Sequence, residues 1–80
     1  MIVPNNKVQP TVYIIGAGLA GTMIAHEIKR KGVFGRVAAF LDDDPQKIGS
    51  KIEGIPVLGP IQDVARLIRV EARDELLIAI

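Results

Sequence analysis

The sequence predicts an α/β fold: a three-layer arrangement around a parallel sheet, which is half of a doubly wound domain. Two apolar runs, 12–15 and 37–41, are continuous rather than alternating, as is typical of strands buried on both faces. Helical patterns separate the apolar runs along the chain, which is typical of parallel strands joined by helices. Such a helical connection crosses from one strand to the next in the right-handed sense. We therefore expect the parallel strands in spatial order 3-2-1, or a near relative of it.

The chain length limits the fold to one small domain. Eighty residues, of which 49% are hydrophobic and 24% charged, are globular in composition. A chain of this size buries only about 60% of its unfolded surface, and it has no cysteine to form disulfides or thiolate metal sites. Residues 1–10 are expected to be an arm or linker, and 11–80 the domain. Because so small a core stabilises the fold only weakly, we expect contacts with the rest of a longer parent chain or with a second copy to add stability.

The first half of the domain contains the clearest periodicity. Val12–Ile15 is a β-branched and aromatic run that ends at Gly16, which predicts a strand. A helix follows from Leu19 and is expected to end at Gly32, a residue suited to the C-cap. Its predicted apolar face consists of Ala20, Met23, Ile24 and Ile28.

The second half is predicted as strand, polar loop, short strand, helix and strand. The run 37–41 ends at three aspartates, a polar stretch covers 46–54, and a short strand covers 55–58. Pro60 suits the first position of a second helix. The apolar face of that helix is predicted to be Ile61, Val64, Leu67 and Ile68. The last strand, 76–80, reaches the final residue, so we expect a fragment truncated from a longer protein.

A glycine-rich motif, Gly16-Ala17-Gly18-Leu19-Ala20-Gly21, joins the first strand to the first helix. In this context Gly16 permits a tight turn, Gly18 leaves room for a pyrophosphate, and Gly21 allows close packing of helix on strand. The N–H groups and positive end of the helix would then face phosphates. The motif predicts a dinucleotide or nucleotide site.

An acidic residue at the end of the second strand supports this prediction. Asp42 lies 26 positions after Gly16, where its carboxylate could accept the ribose hydroxyls and repel a 2′-phosphate, which favours NAD over NADP. The alternative is a plain tight turn followed by a solvated loop. The predicted cofactor-binding residues are Gly16, Gly18, Leu19, Ala20, Gly21, Asp42 and Asp43.

Other polar residues indicate little chemistry. Asp43 and Asp44 have oxygen ligands for a cation but no visible further ligands. Lys47 and Lys51 could reach a phosphate, although solvated lysines are the default, and His26 is predicted to be solvated. We expect no metal site.

The sequence contains no catalytic constellation. The residue four after Tyr13 is Ala17, so the Tyr-x-x-x-Lys pair of short-chain dehydrogenases is absent. Ser50 and His26 are the only serine and histidine, and no Ser-His-Asp arrangement follows from them. We therefore expect this piece to be non-catalytic.

Charge and hydropathy limit the partners. A net charge of +1 gives no broad cationic face for nucleic acid. The uncharged stretch 8–25 contains Pro10 and turn glycines, which argue against a membrane span, and the N-terminus lacks a signal-peptide pattern. We expect a cytoplasmic location without membrane contact by this piece itself.

Two blocks of sequence resemble a known family. The first is 12–21, and the second comprises Phe40-Leu41-Asp42-Asp43-Asp44-Pro45, Lys47-Ile48-Gly49 and Gly54-Ile55-Pro56-Val57-Leu58-Gly59. Both are similar to the N-terminal Rossmann-like (CoA-binding-type) domain of CapD-like polysaccharide-biosynthesis proteins, which are bacterial nucleotide-sugar epimerases and 4,6-dehydratases. Their order and spacing are more specific than the glycine motif alone.

The resemblance implies a non-catalytic nucleotide-binding domain within an NAD-dependent parent enzyme. The family's fingerprint glycines correspond to Gly16, Gly18 and Gly21, and its acid after the second strand to Asp42. The implied parent is anchored in the inner membrane, with this domain on the cytoplasmic side and a catalytic domain elsewhere in the chain. The implied partners are a nucleotide and the rest of the parent chain.

Three alternatives stay open at this point. The N-terminal, nucleotide-sugar-binding domain of sugar acetyltransferases shares the second block, but that family often has Gly-His where this chain has Leu19-Ala20. An NAD(H)-sensing regulatory module would use the same glycines, and a scaffold would keep a vestigial site. The ligand could thus be NAD, a nucleotide sugar or coenzyme A. The open edge of a half-sheet predicts a homo-oligomer.

Overall fold

The computed structural model describes residues 10–32, 35–68 and 74–79, so nearly all of the predicted N-terminal arm lies outside the described residues. None of the helices in these ranges is long and apolar enough to cross a membrane. The elements in chain order are β1 (Thr11–Ile15), α1 (Leu19–Lys31), β2 (Arg36–Leu41), β3 (Lys51–Ile52), β4 (Ile55–Leu58), a 3₁₀ turn (Ile61–Asp63), α2 (Val64–Leu67) and β5 (Glu75–Ile78).

The strands form one five-stranded sheet in the order β3-β4-β2-β1-β5. Strand β1 runs parallel to β2 and β5, and β2 runs parallel to β4, while β3 and β4 are antiparallel. The predicted Rossmann-like α/β fold is confirmed. The predicted order 3-2-1 took 76–80 as the third strand and is wrong in that respect, because the strand beside β2 is the short strand β4. Strand β5 extends the sheet on the other side of β1.

The core lies between α1 and the middle of the sheet. Ile14 and Phe40, which are register partners on β1 and β2, are both fully buried. Val12 and Val57 are 1% exposed and belong to the same cluster. Because every second residue of β1 points toward α1, the alternation of the strand determines which side chains form this core.

Helix α1 presents its smallest side chains to the sheet. Gly21 and Ala25 are buried together with Ile28. The predicted apolar face is right for Ile28 and for Ile24, which packs against the core, but wrong for Ala20 and Met23, which are exposed. The helix is rotated because Gly21 allows its first turn to approach β1: a Cβ on residue 21 would collide with the carbonyl oxygen of Gly16.

Helix α1 ends as predicted. Gly32 has φ 68°, and its N–H donates to the Ile28 carbonyl at 2.8 Å. A glycine in the left-handed backbone conformation commonly ends a helix.

Strand β3 and the turn that joins it to β4 lie in the stretch 46–54, which was predicted as a polar loop. Ile52 pairs with Ile55, and the two residues between them, Glu53 and Gly54, have φ 52° and 80°. Two central residues of positive φ form the turn that matches the twist of a hairpin. The sequence-based prediction was wrong here because glutamate, unlike asparagine or aspartate, is an uncommon first residue for that turn.

The second helix is shorter than predicted. A 3₁₀ turn, Ile61–Asp63, precedes one α-helical turn, Val64–Leu67, and Ile68 is already extended at φ −134°. The four predicted apolar residues are half-buried rather than core, so little buried apolar surface stabilises a longer helix. The last strand covers Glu75–Ile78, and Ile80 lies outside the described residues.

The surroundings of Gly21 and Gly18 predict that alanine destabilises the fold at residue 21 but changes its stability little at residue 18. Gly21→Ala should lower the free energy of unfolding by about 1–3 kcal/mol, because its methyl group meets backbone that cannot rotate away. In Gly18→Ala the new Cβ meets nothing within 4 Å, and the change should stay within about 1 kcal/mol. Urea unfolding followed by circular dichroism measures both. Equal destabilisation would contradict the assigned contact.

Candidate functional site

A pocket of about 470 Å³ lies at the carboxyl ends of three neighbouring parallel strands. Gly16 follows β1, Asp42 follows β2, and Ala79 follows β5. In open α/β sheets this edge is where ligands bind. The residues that line the pocket are Gly16, Gly18, Leu19, Ala20, Asp42, Asp43, Lys47, Ile61 and Ala79.

Six of the seven predicted site residues therefore lie around one pocket. The seventh, Gly21, is buried behind it, against the Gly16 carbonyl. Ile61 and Ala79 were not predicted, because their contribution depends on how the second half of the chain folds back. An apolar residue at the start of a helix or the end of a strand carries no distinctive sequence pattern.

The backbone of the glycine loop is held by the neighbouring strand. Gly16 has φ 113°, a conformation that favours glycine, and its N–H donates to the Leu41 carbonyl at 2.7 Å. Gly18 is extended and is the N-cap residue of α1. The side of Gly18 where a Cβ would stand is open. A ligand can therefore approach the backbone closely at this residue.

The N-terminus of α1 is favourable for an anion. Among the described residues, no side chain forms a cap hydrogen bond there, and the first turn contains no acidic residue. The Thr22 hydroxyl donates to the Gly18 carbonyl at 3.0 Å and so does not cap an N–H group. The first N–H groups of a helix lack intrahelical acceptors and carry its positive dipole end. Here they border the pocket at Leu19 and Ala20.

Asp42 connects the glycine loop to the loop after β2. Its Oδ2 accepts the Ala17 N–H at 2.7 Å, and its Oδ1 accepts the Asp44 N–H at 2.8 Å. These two N–H donors, with a smaller contribution from the charge of Lys47, hold the pKa of the Asp42 carboxyl below its ordinary value. The side chain is therefore an anion that is already aligned.

The loop-bridging role of Asp42 could not be found in the sequence. Nothing in the spacing of Ala17 and Asp42 shows that the carboxylate meets a backbone N–H of the motif. Each carboxylate oxygen has two acceptor positions, and each uses one in these bonds. Acceptor capacity is left for hydroxyl groups of a ligand, which is the function predicted for Asp42.

The other two aspartates also accept backbone N–H groups. Asp43 Oδ1 accepts the Ile61 N–H at 2.7 Å, at the start of the 3₁₀ turn. Asp44 Oδ1 accepts the Gln46 N–H at 2.9 Å and closes a local turn. In the ranges that the structure covers, no three acidic or histidine side chains converge as a metal site would require. The aspartate run thus shapes the rim of the pocket.

The remaining polar candidates separate into two groups. Lys47 lines the pocket, and its Nζ lies 3.4 Å from the Ala17 carbonyl oxygen. Lys51 lies in β3, and His26 is exposed on α1 with its Nδ1 3.3 Å from Glu53 Oε2. Lys29 Nζ also donates to the Glu53 carbonyl. His26 and Lys29 thus fasten the hairpin to α1 and lie away from the pocket.

These features define a Rossmann-like α/β domain with a glycine-loop pocket at the carboxyl edge of its sheet. Residues 11–80 match the family described as the PglD N-terminal domain, and the chain belongs to that family. The resemblance drawn from the motifs is thus confirmed at the level of a Rossmann-like N-terminal domain.

Two proteins show similarity over most of this chain. The redox-sensing transcriptional repressor Rex of Natranaerobius thermophilus is 37% identical over 65 residues, which are 79% of this chain and 30% of Rex. The crystal structure of UDP-D-quinovosamine 4-dehydrogenase from Vibrio fischeri superposes with a TM-score of 0.65 at 37% identity. That match covers 75% of this chain and 48% of the dehydrogenase. Each match therefore covers less than half the length of the similar protein.

The lowered pKa of Asp42 predicts an acid-dependent contribution to stability. Asp42→Asn should lower the free energy of unfolding by about 1–2 kcal/mol near neutral pH, because one acceptor oxygen is replaced by a donor. The contribution of the carboxylate is fully present above its unfolded-state pKa of about 3.9. It is lost as the pH falls through the lower folded-state value, so wild type and variant should converge in acid.

The measurement is denaturant unfolding of wild type and Asp42→Asn between neutral and strongly acidic pH. Glu75→Gln is the matched control, since Glu75 is an exposed carboxylate on β5. A stability gap between wild type and Asp42→Asn that stays constant across this pH range would argue against the Asp42 hydrogen bonds.

Proposed function

We propose that this chain is the nucleotide-binding domain of a nucleotide-sugar enzyme and that its glycine-loop pocket holds the nucleotide. One observation carries the proposal. The pocket combines an uncapped helix N-terminus, an open approach at Gly18 and an aligned carboxylate at Asp42, all at the carboxyl edge of a parallel sheet. The helix N-terminus and the open approach at Gly18 suit phosphates, and the Asp42 carboxylate suits ribose hydroxyls.

The proposed division of contacts follows from the charges. Phosphate oxygens would accept N–H groups from the first turn of α1, near Leu19 and Ala20. Ribose hydroxyls would donate to Asp42, and Asp43 would border the same sugar. Two carboxylates on this side would repel a 2′-phosphate, so we expect NAD to be preferred over NADP.

Two similar proteins support a nucleotide ligand. One is a dehydrogenase whose name specifies a UDP-sugar, and the other is a redox-sensing repressor. The first supports a parent enzyme that acts on a nucleotide sugar, for which an epimerase or 4,6-dehydratase of polysaccharide biosynthesis is our specific proposal. The alternatives are the nucleotide-sugar-binding domain of a sugar acetyltransferase and an NAD(H)-sensing module.

The pocket lining favours binding without catalysis. The side chains around it are carboxylates, one lysine and apolar groups, and the described lining contains no serine, histidine or tyrosine. We infer that any reaction takes place in another part of the parent protein. The rest of that chain and a second copy are the partners we propose for β5, which is an edge strand among the described strands.

Isothermal titration of this chain with NAD⁺, UDP-N-acetylglucosamine and coenzyme A tests the proposal. Saturable binding of NAD⁺ would favour a cofactor-holding or sensing domain, and binding of only the UDP-sugar would favour substrate recognition. In Gly18→Ala the added methyl group occupies the open approach, so affinity should fall by about tenfold or more, which is about 1.4 kcal/mol.

Unfolding measurements on Gly18→Ala serve as the control, because this variant should keep its stability. Loss of affinity in a folded variant would locate the ligand at the glycine loop. Absence of heat with all three ligands, from a chain with the circular dichroism of an α/β protein, would refute the proposed function.

A further inference from the structure

We propose that Lys47 is a phosphate ligand of this pocket and makes the site selective for nucleotides that carry a diphosphate. This inference rests on the proposed nucleotide function and goes beyond it by naming the side chain that binds the phosphates. Three features support it: the position of the amine, the absence of an ion pair to it among the described residues, and the charges of the pocket lining.

The backbone of Lys47 is held in a compact turn. Its N–H donates to the Asp44 carbonyl at 2.9 Å, and its own carbonyl accepts the Ser50 N–H at 2.9 Å. The Ser50 hydroxyl donates to the same carbonyl. The turn is anchored at Asp44, whose N–H donates to Asp42 Oδ1 at 2.8 Å. The Cα of Lys47 is therefore fixed relative to the carboxyl end of β2.

This anchoring directs the side chain across the mouth of the glycine loop. The Lys47 amine lies 3.4 Å from the carbonyl oxygen of Ala17, the residue between the first two glycines of the motif. The side chain is half-buried and lines the same pocket as Gly16 and Gly18. The amine thus stands beside the loop that would receive the phosphates.

Besides its attraction to the nearby Asp42 carboxylate, only one weak hydrogen bond holds the amine in place. A donor–acceptor distance of 3.4 Å to a neutral carbonyl is a weak hydrogen bond. The ion pairs formed among the described residues involve His26, Arg30, Lys31 and Arg66, and Lys47 takes part in none of them. Turning two or three N–H groups to phosphate oxygens would replace that weak bond with stronger, charge-assisted ones.

The charges of the lining show why this residue would control selectivity. Among the described side chains around the pocket, Asp42 and Asp43 are acidic and Lys47 alone is basic. Without the lysine, a diphosphate would meet two carboxylates and only the partial positive charge of the helix end, about half an elementary charge. A nucleoside, which carries no phosphate, would not depend on Lys47.

The test compares ligands that differ only in their phosphates. Uridine, UMP and UDP, and likewise adenosine, AMP and ADP, are titrated into wild type, Lys47→Ala, Lys47→Arg and Lys51→Ala. Lys51→Ala is the matched control, because it removes the same charge from an exposed residue outside the pocket. All four proteins should share one unfolding midpoint, since Lys47 makes only a weak side-chain contact.

We expect Lys47→Ala to lower the affinity for the diphosphate at least about tenfold, which corresponds to about 1.4 kcal/mol. The affinity for the nucleoside should not change. Lys47→Arg should keep most of the affinity, and Lys51→Ala should match wild type. Raising the salt concentration should weaken diphosphate binding in wild type more than in Lys47→Ala.

The outcomes separate this inference from the proposed function. Wild type that binds none of the six ligands would refute both. Nucleotide binding that is equal in Lys47→Ala and Lys51→Ala would overturn the role of Lys47 alone. An equal loss for nucleoside and diphosphate in Lys47→Ala would also overturn it, because the lysine would then support the sugar or the loop rather than the phosphates.

Discussion

The hydrogen bond from the Ala17 N–H to the Asp42 carboxylate is the contact on which the site depends. It lies in a row of bonds along one edge of the sheet, in which the Gly16 N–H donates to the Leu41 carbonyl and the Asp42 N–H to the Leu58 carbonyl. These bonds join the ends of β1, β2 and β4. The glycine loop is thereby held in shape by a neighbouring strand as well as by its own residues, and this fixes the start of α1 beside the pocket.

Close backbone contacts make this edge possible, and they explain two glycines far apart in the chain. A Cβ on Gly21 would collide with the Gly16 carbonyl oxygen, and a Cβ on Gly59 would collide with that of Asp42. The first contact brings α1 onto β1, and the second brings the chain after β4 against the loop that carries the aspartates. A pocket forms because helix, loops and strands approach at distances that a side chain would prevent.

Local periodicity predicted the elements whose stability depends on burial, and it failed where tertiary contacts decide. Continuous apolar runs located β1 and β2, whose residues Ile14 and Phe40 are fully buried. Strand β3 and its turn were not predicted, because the turn begins with Glu53. The second helix was predicted too long, because its apolar residues are only half-buried. For the site, strand–loop–helix order was enough to locate the pocket. The bonds that the aspartates make to backbone N–H groups depend on loops folding together, which no spacing reveals.

The aspartate loop also explains how so small a domain can form a shaped binding site. Asp42 reaches back to the glycine loop, Asp43 reaches forward to the Ile61 N–H, and the turn after Asp44 positions Lys47. One short segment after β2 thus organises both sides of the pocket through backbone contacts, while part of its acceptor capacity and one amine stay available. In the function we propose, the same groups would contact the ribose and phosphates, so the ligand would stabilise the bonds that shape its site.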